Sequence, residues 1–247
     1  MNSTIGARKT KSEGPQFLKP LLIGVTIVVL LLIGAVAYIW FSGGSGEASG
    51  KTTAPALVLQ PGDTRTMLHI VPAQSEVRFS IDEILLENPK TVVGTTHDVA
   101  GDVLINLETP KNSQMGTIRI NVRTLETDNE FRNRALRGQI LQAEQPEFEY
   151  AEFAPTQLIG LPDKVVIGER FEFQIKGNLT VHGVTHEVTF DATITPMSGA
   201  EITGTAQTTV LYRDFGMTIP EAPGVANVSD EVKLEIDFVA SDASPAS

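Results

Sequence analysis

The sequence predicts an all-β protein, an antiparallel up-and-down barrel with one short helix, carried behind a single N-terminal transmembrane helix. Three observations predict it. Stretch after stretch alternates apolar and polar residues with a period of two, the mark of a sheet with one apolar and one wet face. Turn signals separate these stretches without room for long crossovers. Near the N-terminus, one apolar run carries no charge at all.

That run, Leu21 to Phe41, is 21 residues long. As a helix it spans roughly 30 Å, the thickness of a bilayer's hydrocarbon. Arg8, Lys9, Lys11 and Lys19 precede it against Glu13 alone, and the next basic residue is Lys51. The positive-inside rule then places residues 1–20 in the cytoplasm as a basic tail and the C-terminal domain outside the cell membrane, periplasmic or extracellular. Tyr38, Trp40 and Phe41 stand where an outer aromatic belt belongs. The competing reading is a cleaved signal peptide ending at Ala35-Val36-Ala37, against which the run's length argues. Residues 42–62 begin Ser-Gly-Gly-Ser-Gly and read as a flexible Gly/Ser-rich linker. The barrel is expected over residues 63–241, with a tail at 242–247.

The strands follow in order. Val77-Phe79-Ile81, Val103-Ile105-Leu107, Ile118-Ile120-Val122 and Val232-Leu234-Ile236-Phe238 alternate with neighbours such as Arg78, Asn106, Arg119 and Lys233. Phe171, Phe173 and Ile175, then Val188, Phe190, Ala192 and Ile194, flank a tight turn at Val181-His182-Gly183-Val184. Asn88-Pro89, Pro110-Lys111-Asn112, Leu161-Pro162-Asp163 and Ser198-Gly199 break the runs. Thr127-x-x-Glu130 is a capping box that opens the short helix, with Phe131, Ala135, Leu136 and Ile140 on its apolar stripe. On the strand from Glu201 to Tyr212, an inward Ile202 and Val210 bring Gly204, Ala206 and Thr208 inward too, which leaves one wall thin.

Composition narrows the function. Beyond residue 41 there are 15 Lys and Arg against 29 Asp and Glu, a net charge of −14, so the exported part repels phosphate polymers and nucleic acid is excluded as a partner. With no cysteine there is no disulfide framework, no thiolate chemistry and no lipid-modified cysteine. Of His69, His97, His182 and His186, only the last two are close in sequence, too few for a zinc site. Asp82-Glu83 and Asp230-Glu231 are successive strand residues that point to opposite faces. Nucleophile-elbow, zincin, P-loop and dinucleotide signatures are absent from the sequence, so no enzyme and no metal are expected.

The hairpin Gly177-Asn178-Leu179-Thr180-Val181-His182-Gly183-Val184-Thr185-His186-Glu187-Val188-Thr189-Phe190 resembles the signature hairpin of the YceI-like family. Leu125-Glu126-Thr127-Asp128-Asn129-Glu130, with Arg132 and Leu136-Arg137 after it, is similar to the family's "T-x-N-x-x-R…L-R" region. Tyr212-Arg213-Asp214-Phe215-Gly216 and Asp230-Glu231-Val232 resemble its "R-x-F-G" and "D-E-V" segments. The resemblance runs in the family's order over roughly Thr66 to Ala240. Gly138 to Tyr150 departs from it, with aliphatics in place of the family's "D-F-F-D" aromatics, which leaves the pocket mouth and the ligand open.

The resemblance implies a secreted or periplasmic, lipocalin-like barrel of about eight strands that binds a polyisoprenoid lipid. The function expected is thus an exported, membrane-anchored lipid-binding protein, a carrier, reservoir or sensor of a long-chain isoprenoid or quinone-like lipid, with no other cofactor. The residues expected to line the lipid site are Phe79, Ile105, Ile120, Phe173, Phe190, Leu211, Phe215 and Phe238. Arg132, Arg137 and Arg213 are the headgroup candidates, since arginine pairs bidentately with phosphate; salt bridges to Asp214, Asp230 or Glu231 are the competing role for Arg213. Partners expected are the lipid and the membrane, with a homodimer left open. The alternative function is a structural or adhesive domain whose core is filled by its own side chains.

Overall fold

The structure is a computed structural model and describes residues 18–242. The basic residues Arg8, Lys9 and Lys11 and the tail from 243 on lie outside the described residues. The described residues fall into two compact units, divided between Tyr38 and Ile39. Helix α1 (Leu18–Ser42) contains one stretch long and apolar enough to cross a membrane, Ile23–Ser42. Its last residues, from Ile39, belong to the second unit.

The second unit is an antiparallel sheet of 13 strands that curls into a barrel. The strands are β1 (Thr66–Ile70), β2 (Glu76–Leu85), β3 (Asn88–Thr96), β4 (Val99–Ala100), β5 (Asp102–Ile105), β6 (Gln114–Met115), β7 (Ile118–Asn121), β8 (Tyr150–Ile159), β9 (Phe171–Val181), β10 (Val184–Ser198), β11 (Glu201–Leu211), β12 (Val225–Ala226) and β13 (Glu231–Ser241). Strands β7 to β11 form a meander, and β13 joins β11 to β2, so the C-terminal strand ties the two ends of the domain together. β3 pairs with β2, and its continuation β4 crosses to β7. Thr95 and Glu126 exchange both backbone hydrogen bonds beside that crossing, at 2.9 and 3.0 Å. The ring is therefore stitched rather than fully laddered on the β3 side. β1, β5 and β6 flank one end, where both Leu104 and Ile105 of β5 are buried.

Of the three prolines within the described strands, Pro89 is the second residue of β3 and the other two sit at irregularities of the ladder. Pro155 and Pro196 lack an N–H to donate, and the register shifts beside each, in β8 and in β10. The turn between β9 and β10 puts His182 and Gly183 at positive φ, 50° and 73°, the primed geometry of a two-residue hairpin.

The short helix α2 (Glu130–Ala135) begins two residues later than the capping box implies for Thr127. Asn129 is the cap and accepts from the Arg132 N–H at 3.1 Å. Thr127 instead ties Asn133, whose Oδ1 accepts from the Thr127 hydroxyl and N–H, both at 2.7 Å. After α2 the chain winds into one wide turn, Leu136–Ile140, and buries Leu136 and Leu141 with Val122, Leu125 and Ala143. This segment plugs the flank that the incomplete β3 ladder leaves open.

Residues 42–50, expected as a free linker, lie against this segment. Arg134 Nη1 donates to the carbonyls of Trp40 at 2.7 Å and Gly44 at 3.1 Å. Arg137 Nε donates to the Gly43 carbonyl at 2.8 Å. Ser49 gives its N–H and its hydroxyl to the Glu149 carboxylate at 2.9 and 2.6 Å. The glycines serve close approach here: a Cβ on Gly46 would stand 2.7 Å from Arg137 Nη1, and one on Gly138 2.7 Å from the Ser42 carbonyl oxygen. Composition reads such a run as flexible, but small residues also let a chain lie flush on a surface.

Candidate functional site

The barrel encloses a cavity of about 620 Å³. Parity builds its wall. In β2 the inward residues are Val77, Phe79 and Ile81; in β9 Phe171, Phe173 and Ile175; in β10 Phe190, Ala192 and Ile194; in β11 Ile202, Ala206 and Val210; in β13 Val232, Leu234, Ile236 and Phe238. Each set falls on alternate positions, as a pleated strand requires.

Two strand glycines make room for aromatic rings. Phe79 lies directly across from Gly94 and Phe238 directly across from Gly204. A Cβ on Gly204 would come within 2.8 Å of Phe238 Cζ, and one on Gly94 would collide with the Phe79 ring. Each ring thus lies over its neighbour strand instead of filling the lumen. Phe153 and Phe190 meet edge to face at 4.9 Å.

Of the residues expected to line the lumen, Phe79, Ile105, Ile120, Phe173, Phe190, Phe215 and Phe238 do so. Leu211 does not. It is 42% exposed and lies on the outer face. The same alternation that turns Ile202, Ala206 and Val210 inward turns Leu211 outward, and Tyr212 takes the inward place. Parity along β11 was the signal that excludes it.

The lining residues that are exposed, Asn129, Phe131 and 220–223, gather at the end that carries the β2–β3 turn, where the Leu86 N–H donates to the Gly224 carbonyl at 2.7 Å, and this places the cavity mouth at that end. The charged groups that β2, β3 and α2 bring to it pair with one another. Glu83, on the inward parity of β2 and buried, accepts from Arg132 Nη2 at 3.0 Å. Arg132 Nη1 donates to Asp128 at 2.6 Å, and Lys90 donates to the other oxygen of Asp128 at 2.6 Å. Hydrogen bonding from Lys90, with the charge of Arg132 behind it, holds the Asp128 carboxyl below the usual carboxylate range. A carboxylate on an otherwise apolar face, as Glu83 is, marks a partnered charge and was legible from strand parity.

The three headgroup candidates do not converge. Arg132 lines the mouth and is neutralised by Glu83 and Asp128. Arg137 is 1% exposed, bound to the Gly43 carbonyl and to Glu130, and lines no part of the cavity. Arg213 lies outside the cavity lining, 2.6 Å from Asp230, over the Tyr212 ring. The physical reason is charge pairing: each guanidinium reaches a carboxylate of its own chain before it can serve a ligand. The histidines of the hairpin are also engaged. His182 packs on Phe148 with ring centroids 4.6 Å apart, and His186 Nε2 meets the Asp214 carbonyl at 2.9 Å.

A sealed, dry void of this size would cost about 15 kcal/mol at about 24 cal/mol per Å³, against about 5–15 kcal/mol for the whole stability of a domain. The volume also falls in the usual range of small-molecule sites. Such a lumen is built to be occupied, and its walls favour an apolar occupant.

Fold and cavity together define a small antiparallel barrel with an apolar, mouth-bearing interior. The YceI-like domain model matches residues 68–240. The chain belongs to the YceI-like family. Among solved structures it is similar to BcnA of Burkholderia cenocepacia, with a TM-score of 0.55 and 18% identity over 70% of this chain and 99% of that one. A polyisoprenoid binding domain from Saccharophagus degradans, implicated in plant cell wall breakdown, gives a TM-score of 0.54 and 14% identity over 72% and 98%. At these identities the likeness is one of fold. No curated protein matches the chain.

Proposed function

We propose that the chain is an exported, membrane-anchored lipid-binding protein whose barrel holds the tail of a long-chain isoprenoid, as a carrier, reservoir or sensor. The observation that carries this reading is the cavity of about 620 Å³ with its aliphatic and aromatic walls. Membership of the YceI-like family and the binding activity named for the Saccharophagus degradans domain support it. The lumen is not filled by its own side chains, which weighs against a purely structural or adhesive domain.

Transfer of a five-carbon isoprene unit from water to an apolar lumen yields roughly 3–4 kcal/mol, and a bilayer offers the same tail about as much. Membrane and barrel nearly balance, so the lipid exchanges and is not trapped. The paired charges at the mouth favour a head that is uncharged or weakly polar over a pyrophosphate, since no lining cation lacks a carboxylate partner among the described residues. The apolar helix and the basic residues Arg8, Lys9, Lys11 and Lys19 support a single span with the N-terminus cytoplasmic.

Native mass spectrometry of the full chain, purified from its own host, tests the reading: a bound apolar mass should accompany the protein and be lost in Phe190→Asp. A wild-type chain that carries no lipid and takes up none from vesicles would refute it. For the anchor, the protein should stay with membranes through salt and alkaline washes. A mature N-terminus after Ala37 would overturn that part.

A further inference from the structure

The two-residue turn between β2 and β3 runs against its own residue preferences. Leu86 and Glu87 both sit at positive φ, 48° and 68°. Two-residue hairpins need that geometry, and Asn-Gly meets it with the least steric cost. A leucine is strained there, and this one is 70% exposed, so neither local preference nor burial accounts for it. Strain kept at an exposed position points to a use for the side chain.

Other large apolar side chains are exposed at the same end. Phe131 on α2 lines the mouth yet is 39% exposed. Trp40 and Phe41 are exposed, and Trp40 lies under the Arg134 guanidinium at 3.9 Å, on the segment that carries Phe131. Residues 40–50 are held to that segment by Arg134, Arg137 and Glu149. All of this belongs to the one unit that starts at Ile39.

We propose that the mouth end of the barrel is a bilayer-contact surface. The tip of the β2–β3 turn, Leu86, and Phe131 enter the boundary between headgroups and acyl chains on the outer face of the membrane. The fastened stretch 40–50 keeps the mouth there, so an apolar tail passes between bilayer and cavity without crossing water. This rests on the reading of the chain as an anchored, tail-binding protein. A lipid surface fits for three reasons: the patch is continuous with an apolar cavity, the residues just before Ile39 are the charge-free run, and Trp is a residue that settles at membrane interfaces. Glu87, Asp128, Glu130 and Glu221 outnumber Lys90, Arg132 and Arg134 nearby, so the contact is apolar and does not depend on anionic lipid.

The absence of cysteine makes the test direct. The full chain carries an environment-sensitive fluorophore on Glu87→Cys or on Gly199→Cys, in the β10–β11 turn at the opposite end, within phosphatidylcholine nanodiscs containing lipid-borne quenchers. The label at 87 should be blue-shifted and strongly quenched, and the label at 199 should read as aqueous. Equal, aqueous signals would overturn the proposal even if lipid binding holds. Leu86→Asn, whose side chain suits positive φ, should keep or raise the melting temperature and leave the affinity for a fluorescent prenyl lipid in detergent unchanged. It should slow transfer of that lipid from vesicles roughly tenfold, the factor that burial of one leucine supports. Unchanged transfer, or loss of binding in detergent together with a lower melting temperature, would sink the proposal. A wild type that binds no prenyl lipid while the label at 87 is quenched would remove the lipid-binding reading and leave the bilayer contact standing.

Discussion

Gly204 and Gly94 keep the lumen open by letting Phe238 and Phe79 lie across their strands. Gly204→Ala would set a Cβ 2.6 Å from the Thr193 carbonyl oxygen as well as against the Phe238 ring. It should cost about 1–3 kcal/mol, the range for overpacking, measured by denaturant unfolding. The arginines divide by burial. Arg213 pairs with Asp230 at an exposed site, so Arg213→Gln should change stability by less than about 1 kcal/mol and leave lipid uptake untouched. Arg137→Ala should cost about 2 kcal/mol or more, because it strands the Gly43 carbonyl and empties a buried volume; thermal melts of the two variants side by side check the contrast.

At the scale of elements, the decisive piece is the irregular segment from α2 to Glu149 together with the stretch it holds. Removal of the Asn129 cap by substitution with alanine should cost about 1 kcal/mol, read as a lower melting temperature. The fastening at Glu149 depends on pH. Burial pushes its carboxyl up, but hydrogen bonds from Ser49, the charge of Arg123 and a bond from Asn121 outweigh it and set the folded value below the usual one. A depressed folded pKa means that the stabilisation is present above the unfolded value, about 4.3, and is lost as pH falls through the lowered one. The protection factor of the Ser49 amide, its exchange rate relative to an unstructured amide at the same pH, should therefore be high near neutrality and fall in strong acid, and Glu149→Gln should lower it already at pH 7.

On the proposed reading, the stability of the whole molecule depends on whether its lumen is loaded. A tail that binds the folded barrel and not the unfolded chain adds about 2.7 kcal/mol at a hundredfold excess over Kd, or about 5–10 °C in melting temperature for a domain of this size. Delipidated protein should melt lower by that amount and recover when an isoprenoid is restored. An unchanged Tm would argue for a lumen that stays empty of lipid. Because the proposed tail would gain about as much from burial in the barrel as in the bilayer, loading should follow the lipid content of the surrounding membrane.

The sequence by itself determined the all-β class, the antiparallel order, the inward residues of the long strands and the apolar run near the N-terminus. Period-two patterning and hydropathy are local, so each can be read from a few neighbouring residues. Phe173, Phe190 and Phe238 line the lumen because their strands alternate, and Leu211 could have been excluded by the same parity. Only the tertiary structure decided the rest. Glu83 and Arg132 meet across 49 residues, Arg137 and Gly43 across 94, and Ser49 and Glu149 across 100. Nothing local records which carboxylate or carbonyl a guanidinium will reach, nor whether a glycine-rich run floats or lies flush on a helix. Cavity volume belongs to the same class: whether phenylalanine rings fill a barrel or lie across its glycines is settled by closure of the sheet, when distant strands set the space that side chains share.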